Sequence, residues 1–196
     1  MDEGETVKPM ENTILLVAHK ADAKFLHKRT KSFTLSAKGE FVVDGKTFNR
    51  AAMTELVRRM RQAMQRANGI GLSANQIGLP YRIFVARVPD DTGSYKLYTV
   101  VNPEIEKLGA EKVLLEEGCL SVPGRYGRVS RATQLTVRGL DRNGHPLKFK
   151  AWGLLAHVFQ HEIDHLDGVV FIDKAKDVHE VPTSVNNSNS KNQSAK

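Results

Sequence analysis

Five consecutive residues, His161-Glu162-Ile163-Asp164-His165, carry the strongest chemical signal in this chain. On a helix, positions four apart share a face, so both imidazoles can address one ion. Glu162, one position on, leans toward the same edge. Two neutral imidazoles and a carboxylate beside an open metal position form the arrangement that hydrolytic metal sites use. Leu154, Leu155, Val158, Phe159, Ile163 and Leu166 make most of this segment apolar, which suits a buried, water-poor site. Three fixed residues in five arise by chance in roughly one chain in a hundred, so the spacing alone is a hypothesis. The competing reading is an exposed charged helix whose histidines happen to align, and the apolar surroundings argue against it.

A third ligand is required. A continuation His-x-x-Gly-x-x-His would use Gly168, which is present, but the next ligand position is Phe171. A glutamate on a later helix would serve, yet downstream only Glu180 remains, followed by Pro182 and a polar tail. Both protease-like continuations therefore fail, and the strongest upstream candidate is the only cysteine, Cys119. A free cysteine is often a small buried hydrophobe. Its setting, Glu116-Glu117-Gly118-Cys119-Leu120-Ser121, is unusual for a plain core strand, and Gly118 permits close backbone approach. A thiolate ligand would temper the ion's Lewis acidity relative to a third imidazole.

These side chains need elements to hold them. Asn49 can cap a helix running to about Ala67, with Met53, Leu56, Val57, Met60 and Met64 on one face and Arg50, Arg58, Arg59, Arg61 and Arg66 opposite. The methionine stripe reads as core and the arginines as a solvated face, and Asn68-Gly69 supplies the stop. Strands are expected at Tyr81 to Val88, Tyr95 to Val101 (ending at Asn102-Pro103), Gln134 to Leu140 and Pro146 to Lys150. The last two flank an Asn143-Gly144 hairpin turn. Glu40 to Val43 and Lys46 to Phe48, around Asp44-Gly45, form a second hairpin candidate. A second helix runs from about Trp152, read as a core anchor, to Asp167. This order predicts an α+β fold: antiparallel or mixed sheets packed around a central C-terminal His-Glu-x-x-His helix, plus an N-terminal amphipathic helix.

The 196 residues suffice for one domain with its own core, and 40% hydrophobic with 26% charged residues is ordinary for a globular protein. No apolar run approaches the roughly 20 residues of a membrane-spanning helix, so no membrane partner is expected. The acidic start carries neither a secretory nor a transit pattern, so a cytoplasmic location is the expectation, with a mature organellar form as the alternative. One cysteine allows no internal disulfide, in keeping with a reducing compartment. The formal charge of +7 favours encounter with polyanions such as RNA or ribosomes but specifies no site, and no sequence-specific nucleic-acid binding is expected. Residues 1–12 read as loosely ordered and 182–196 as a disordered polar tail, leaving 13–181 as a single domain.

Three ordered motifs resemble those of the peptide deformylases: Gly69-Ile70-Gly71-Leu72-Ser73-Ala74-Asn75-Gln76, then Glu117 to Ser121, then Gln160 to His165. Gln76 to Pro80, Val101 to Ile105, Ser121 to Gly124 and His165 to Gly168 also match, and the resemblance spans about residues 50 to 175. Ser73 departs from the motif, which carries alanine there, and adds a hydroxyl that needs a partner. The stretch before Phe48 does not match the family's usual opening. The tail after Val181 lacks the basic C-terminal helix that some members use on the ribosome.

The resemblance implies a domain at 13–181 that removes the formyl group from N-terminal formyl-methionine of nascent peptides. It implies one divalent ion on Cys119, His161 and His165, with ferrous iron as the native metal and zinc, nickel or cobalt as substitutes. Iron beside a thiolate would be oxygen-sensitive. Glu162 would be the general base and acid, and the Gln76 side-chain amide and the Leu120 N–H would hold the oxyanion. Gly69, Gly71 and Gly118 would admit an extended substrate backbone, with Ile70, Leu154 and Val158 lining the methionine slot. For Leu154 and Val158, plain helix core is an equal reading. Glu117 and Asp164 are candidates to support the ligands, and His157 to form pocket wall. Partners would be formylated nascent peptides and, transiently, the ribosome. Two other readings remain: an endopeptidase of the His-Glu-x-x-His kind, which lacks its third ligand, and a basic RNA- or ribosome-binding module with a structural metal.

Overall fold

The computed structural model describes residues 13–90 and 92–181. The loosely ordered start at 1–12 and the disordered tail at 182–196 are expectations that fall outside the described residues. In chain order the elements are α1 (Lys20–Leu26), β1 (Thr34–Leu35), β2 (Phe41–Val43), β3 (Lys46–Phe48), α2 (Arg50–Arg66) and β4 (Gly71–Ser73). A 3-10 turn follows at Ala74–Ile77. Then come β5 (Ile83–Pro89), β6 (Tyr95–Leu108), β7 (Lys112–Cys119), β8 (Val122–Ala132), β9 (Gln134–Leu140), β10 (Pro146–Trp152), α3 (Gly153–Leu166) and β11 (Lys176–Glu180). Three sheets form, ordered β1-β2-β3, β10-β9-β6-β5-β4 and β11-β8-β7. Among the described residues every strand ladder is antiparallel, both in the consecutive hairpins and where β6 meets β9 and β8 meets β11.

The two helices expected from periodicity form where their signals lie. Asn49 caps α2, its Oδ1 accepting from Ala52 N at 2.9 Å, and Met53, Leu56, Val57, Met60 and Met64 are buried. α3 buries Ala156, Phe159, Ile163 and Leu166 against Phe84, Leu135, Val137 and Ala151 of the five-stranded sheet. Phe159 meets Phe84 edge-to-face at 4.9 Å, and burying such a ring stabilises by about 1.5–3 kcal/mol. Gln160 then ties α3 to β8: its Oε1 accepts from Ala132 N (3.0 Å) and its Nε2 donates to Ala132 O (2.9 Å). That pairing fixes the rotation and height of the helix that carries the histidines.

α1, β1, β4 and β11 form where no element was expected, and three other features differ from the sequence expectations. β6 does not stop at Asn102-Pro103 but runs on to Leu108. The register breaks between Val101 and Glu104, where Asn102 takes φ 50° and proline's missing N–H falls out of the ladder. β7 and β8 form a long hairpin through a stretch in which no strand was expected and which Pro123, Gly124 and Gly127 interrupt. Gly127 instead serves packing: a Cβ there would lie 2.9 Å from the Cβ of Ala175 in the segment leading to β11. Trp152 is no core anchor. It ends β10 with 62% of its surface exposed, because successive strand residues point to opposite faces and Ala151 takes the buried one.

Residues ahead of the first expected element also contribute. Leu15 N donates to Gln76 O (2.8 Å) and Val17 N to Ser121 O (2.9 Å), so this segment laces the turn after β4 to the end of β7. Replacing Gln160 with alanine leaves the buried N–H and C=O of Ala132 unpaired, at a cost of about 1–3 kcal/mol. Urea unfolding of Gln160→Ala is expected to show a lower midpoint with an unchanged slope. An unchanged midpoint would mean that Gln160 does not hold α3 to β8.

Candidate metal centre and its acid-base group

The residues singled out for chemistry arrive from three elements. Gln76 lies in the turn after β4, Cys119 ends β7, and His161, Glu162 and His165 lie on α3. The ligand atoms of Cys119, His161 and His165 all lie within 4.8 Å of one another, and Cys119 Sγ is 3.1 Å from His165 Nε2. A thiolate and two imidazole nitrogens at such separations fit a single ion with bonds of about 2.0–2.3 Å.

The tautomer of His161 supports the same conclusion. Its Nδ1 sits 2.8 Å from Glu117 Oε2, and an ionised carboxylate only accepts, so Nδ1 carries a proton and Nε2 is the nitrogen left to bind a metal. Glu117 is almost fully buried. It also accepts from His157 Nε2 (2.8 Å) and from Arg131 through Nε (2.6 Å) and Nη2 (2.9 Å). Arg131 continues to Asp164 at 2.5 Å, which Lys174 reaches from outside at 2.6 Å. Asp164 is therefore joined to His161 through three successive hydrogen bonds, by way of Arg131 and Glu117. Arg131 gave no signal in sequence, since only the pairing of β7 with β8 brings it to Glu117.

Glu162 is buried in the wall beside the ligands. Ser73 Oγ lies 2.7 Å from its Oε2, and a Cβ built on Gly71 would fall 2.2 Å from its Oε1. Gly71 is thus required by the carboxylate itself, whatever a substrate also needs there. Gln76 is oriented by Ser73 N, which donates to its Oε1 at 2.9 Å. Its Nε2 consequently points at Ser121 Oγ (3.3 Å) and Cys119 Sγ (3.5 Å). The Ser73 hydroxyl expected to need a partner has found Glu162.

A cavity of about 720 Å³ opens over these groups. Gly69, Ile70 and Gly71 form one wall and Gly118, Cys119 and Leu120 another, with Leu154, His157 and Val158 of α3 between them. Ile70 and Leu154 are each 45% exposed at the rim, so Leu154 is not helix core. Val158 is buried and belongs both to the core and to the lining. β4 and β7 are edge strands of their sheets, so two free edges flank the cavity.

Electrostatics divide the acidic groups. Burial works against the Cys119 thiolate, but the facing His165 and His161 outweigh it and bring the thiol down to about 5, the ionised form a metal needs. Burial raises Glu162 above the usual carboxylate value, against the opposing pull of His161, His165 and the Ser73 hydroxyl. Burial also opposes charge on Glu117, yet the bonds from His157, His161 and Arg131 prevail and hold it well below the usual range.

A thiolate and two imidazoles beside a buried carboxylate, set in a cavity between two strand edges, define a metal-dependent hydrolase. Comparison with known proteins narrows the class. The chain belongs to the polypeptide deformylase family, whose model matches residues 29–181. A peptide deformylase of Syntrophomonas wolfei is 50% identical over 125 residues, covering 64% of this chain and 78% of the relative. One from Halothermothrix orenii is 47% identical over 119 residues, covering 61% and 75%. Among solved structures, a peptide deformylase from Legionella pneumophila superposes with a TM-score of 0.68 at 36% identity, covering 85% of this chain and 86% of that one. A probable peptide deformylase from synechococcus phage S-SSM7 gives 0.69 at 34%, covering 83% and 98%. The activity is removal of the N-terminal formyl group from newly made polypeptides, and the family is metal-dependent.

A carboxyl depressed in the folded state contributes stability that is fully present above its unfolded pKa of about 4.3 and is lost as pH falls toward the folded value. Glu117→Gln is expected to lower the melting temperature at neutral pH and to flatten its fall between about pH 5 and pH 3. Equal acid slopes for the two proteins would contradict this role for Glu117.

Proposed function

We propose that Cys119 Sγ, His161 Nε2 and His165 hold one divalent ion and that Glu162 carries the proton in hydrolysis of the formyl amide. The observation that carries this reading is the buried Glu162 carboxylate, held beside the three ligand atoms in the wall of an open cavity. When bound by these residues, the ion would supply Lewis acidity that makes water a better nucleophile near neutral pH and polarises the formyl oxygen. Glu162 accepts the water's proton as the new C–O bond forms and passes it to the amine as the C–N bond breaks, leaving formate and a free N-terminus. Its raised pKa suits both halves of that exchange. The Gln76 Nε2, aimed toward Cys119 by the bond from Ser73 N, and the Leu120 N–H stabilise the oxyanion.

The substrate backbone lies extended between the β4 and β7 edges, past Gly69, Gly71 and Gly118, and bonds main chain to main chain. This mode tolerates many sequences beyond the first residue, as a nascent-chain enzyme must. Ile70, Leu154 and Val158 receive the methionine side chain. Ferrous iron is the proposed native ion, with zinc, nickel or cobalt as replacements, since one soft sulfur and two imidazoles suit each of them. No helix among the described residues is long and apolar enough to cross a membrane. We place the enzyme in the cytoplasm, with 13–181 as one catalytic domain and a transient ribosome contact favoured by the net charge of +7.

Glu162→Gln is expected to keep one metal per chain by elemental analysis after anaerobic purification. It should lose about 100-fold or more of its turnover of formyl-Met-Ala-Ser. Full turnover would remove Glu162 from the mechanism. Cys119→Ala should purify with little bound metal. The iron-loaded enzyme should lose activity in air while the nickel-loaded one keeps it; equal air stability would count against iron beside a thiolate.

A further inference from the structure

We propose that Ser73 is the positioning residue of the Glu162 carboxylate, its hydroxyl holding Oε2 so that Oε1 is the oxygen left to handle the proton. The inference rests on the role given to Glu162 above. Ser73 is fully buried, and its Oγ lies 2.7 Å from Glu162 Oε2. Residues two apart on a strand point the same way, so Gly71 and Ser73 face α3 together. Between them they grip the carboxylate. The absent side chain at Gly71 leaves room for Oε1, and the hydroxyl at Ser73 binds Oε2.

The hydroxyl also lies 2.8 Å from the Glu162 carbonyl, but it has one hydrogen to give. The carbonyl sits within α3, where the amide four residues on already uses it. An ionised carboxylate is the stronger acceptor, so the hydrogen goes to Oε2. Rotation about the last torsion of a glutamate is broad and soft, and one directional bond removes that freedom. The deformylase motif carries alanine at this position, so the motif itself does not supply this bond. The same residue's N–H orients Gln76, which places both the proton carrier and the oxyanion donor under the control of β4.

The test compares wild type, Ser73→Ala, Glu162→Gln and the double variant on formyl-Met-Ala-Ser, with bound metal measured for each. Ser73→Ala is expected to lower kcat about tenfold with KM within about twofold and metal content unchanged. In the Glu162→Gln background the same change should cost nothing further. The infrared carboxylate band assigned by its loss in Glu162→Gln should shift in Ser73→Ala. An unchanged kcat, an equal further loss in the Glu162→Gln background, or parallel loss of metal would each overturn the proposal. A wild-type chain that releases no formate would instead overturn the function of Glu162, and the infrared comparison would still report the Ser73–Glu162 bond.

Discussion

One buried carboxylate organises this protein's chemistry. Glu117 accepts four hydrogen bonds, two from Arg131 and one each from His157 and His161, and these come from β8 and from two successive turns of α3. Four bonds fill the acceptor capacity of a carboxylate. Its charge is thereby balanced by a guanidinium that cannot lose its proton. The same bonds decide which nitrogen of His161 is free for a metal. Replacing such a buried ion pair by apolar residues can be neutral for stability, whereas removing one partner strands a charge. The pair is best understood as a device for geometry: it fixes a ligand's tautomer and rotation from behind.

The remaining parts work from the opposite side. α3 is held against the five-stranded sheet by Phe159 and its neighbours and against β8 by Gln160, so the histidines reach Cys119 without a loop in between. β4 approaches α3 so closely that Gly71 and Ser73 meet the Glu162 carboxylate. The site is built on a helix and two strands rather than on mobile connections. Cys119, His161, His165 and Glu162 therefore keep their relative positions, with the edges of β4 and β7 on either side of them.

The segment from Leu15 to Val17 shows how little local sequence signal such support requires. It belongs to a short, strand-sized apolar run, Ile14 to Ala18, before the region matched by the family model, and nothing in its residue types names the partners its backbone amides find at Gln76 and Ser121. Any residue other than proline can donate an amide hydrogen, so this contribution leaves no mark on residue type.

What sequence alone determined follows from periodicity and spacing. α2 was legible because Met53, Leu56, Val57, Met60 and Met64 recur at three and four after a capping asparagine, and α3 because an apolar helix is interrupted by His161, Glu162 and His165. Cys119 could be grouped with His161 and His165 from sequence because the alternatives downstream of His165 run out and a single cysteine remains, and the fold brings these three side chains together. β7 and β8 were not legible: Pro123, Gly124 and Gly127 look like turn residues, and only the crossing of the β11 segment explains the last of them. Trp152 looked like core by its type, but in β10 the alternation buries Ala151 and turns Trp152 to solvent. The partners of Glu117 and the grip of Gly71 and Ser73 on Glu162 were decided by tertiary structure alone. They join residues up to 91 positions apart, and such contacts depend on strand register and helix rotation, which no local pattern encodes.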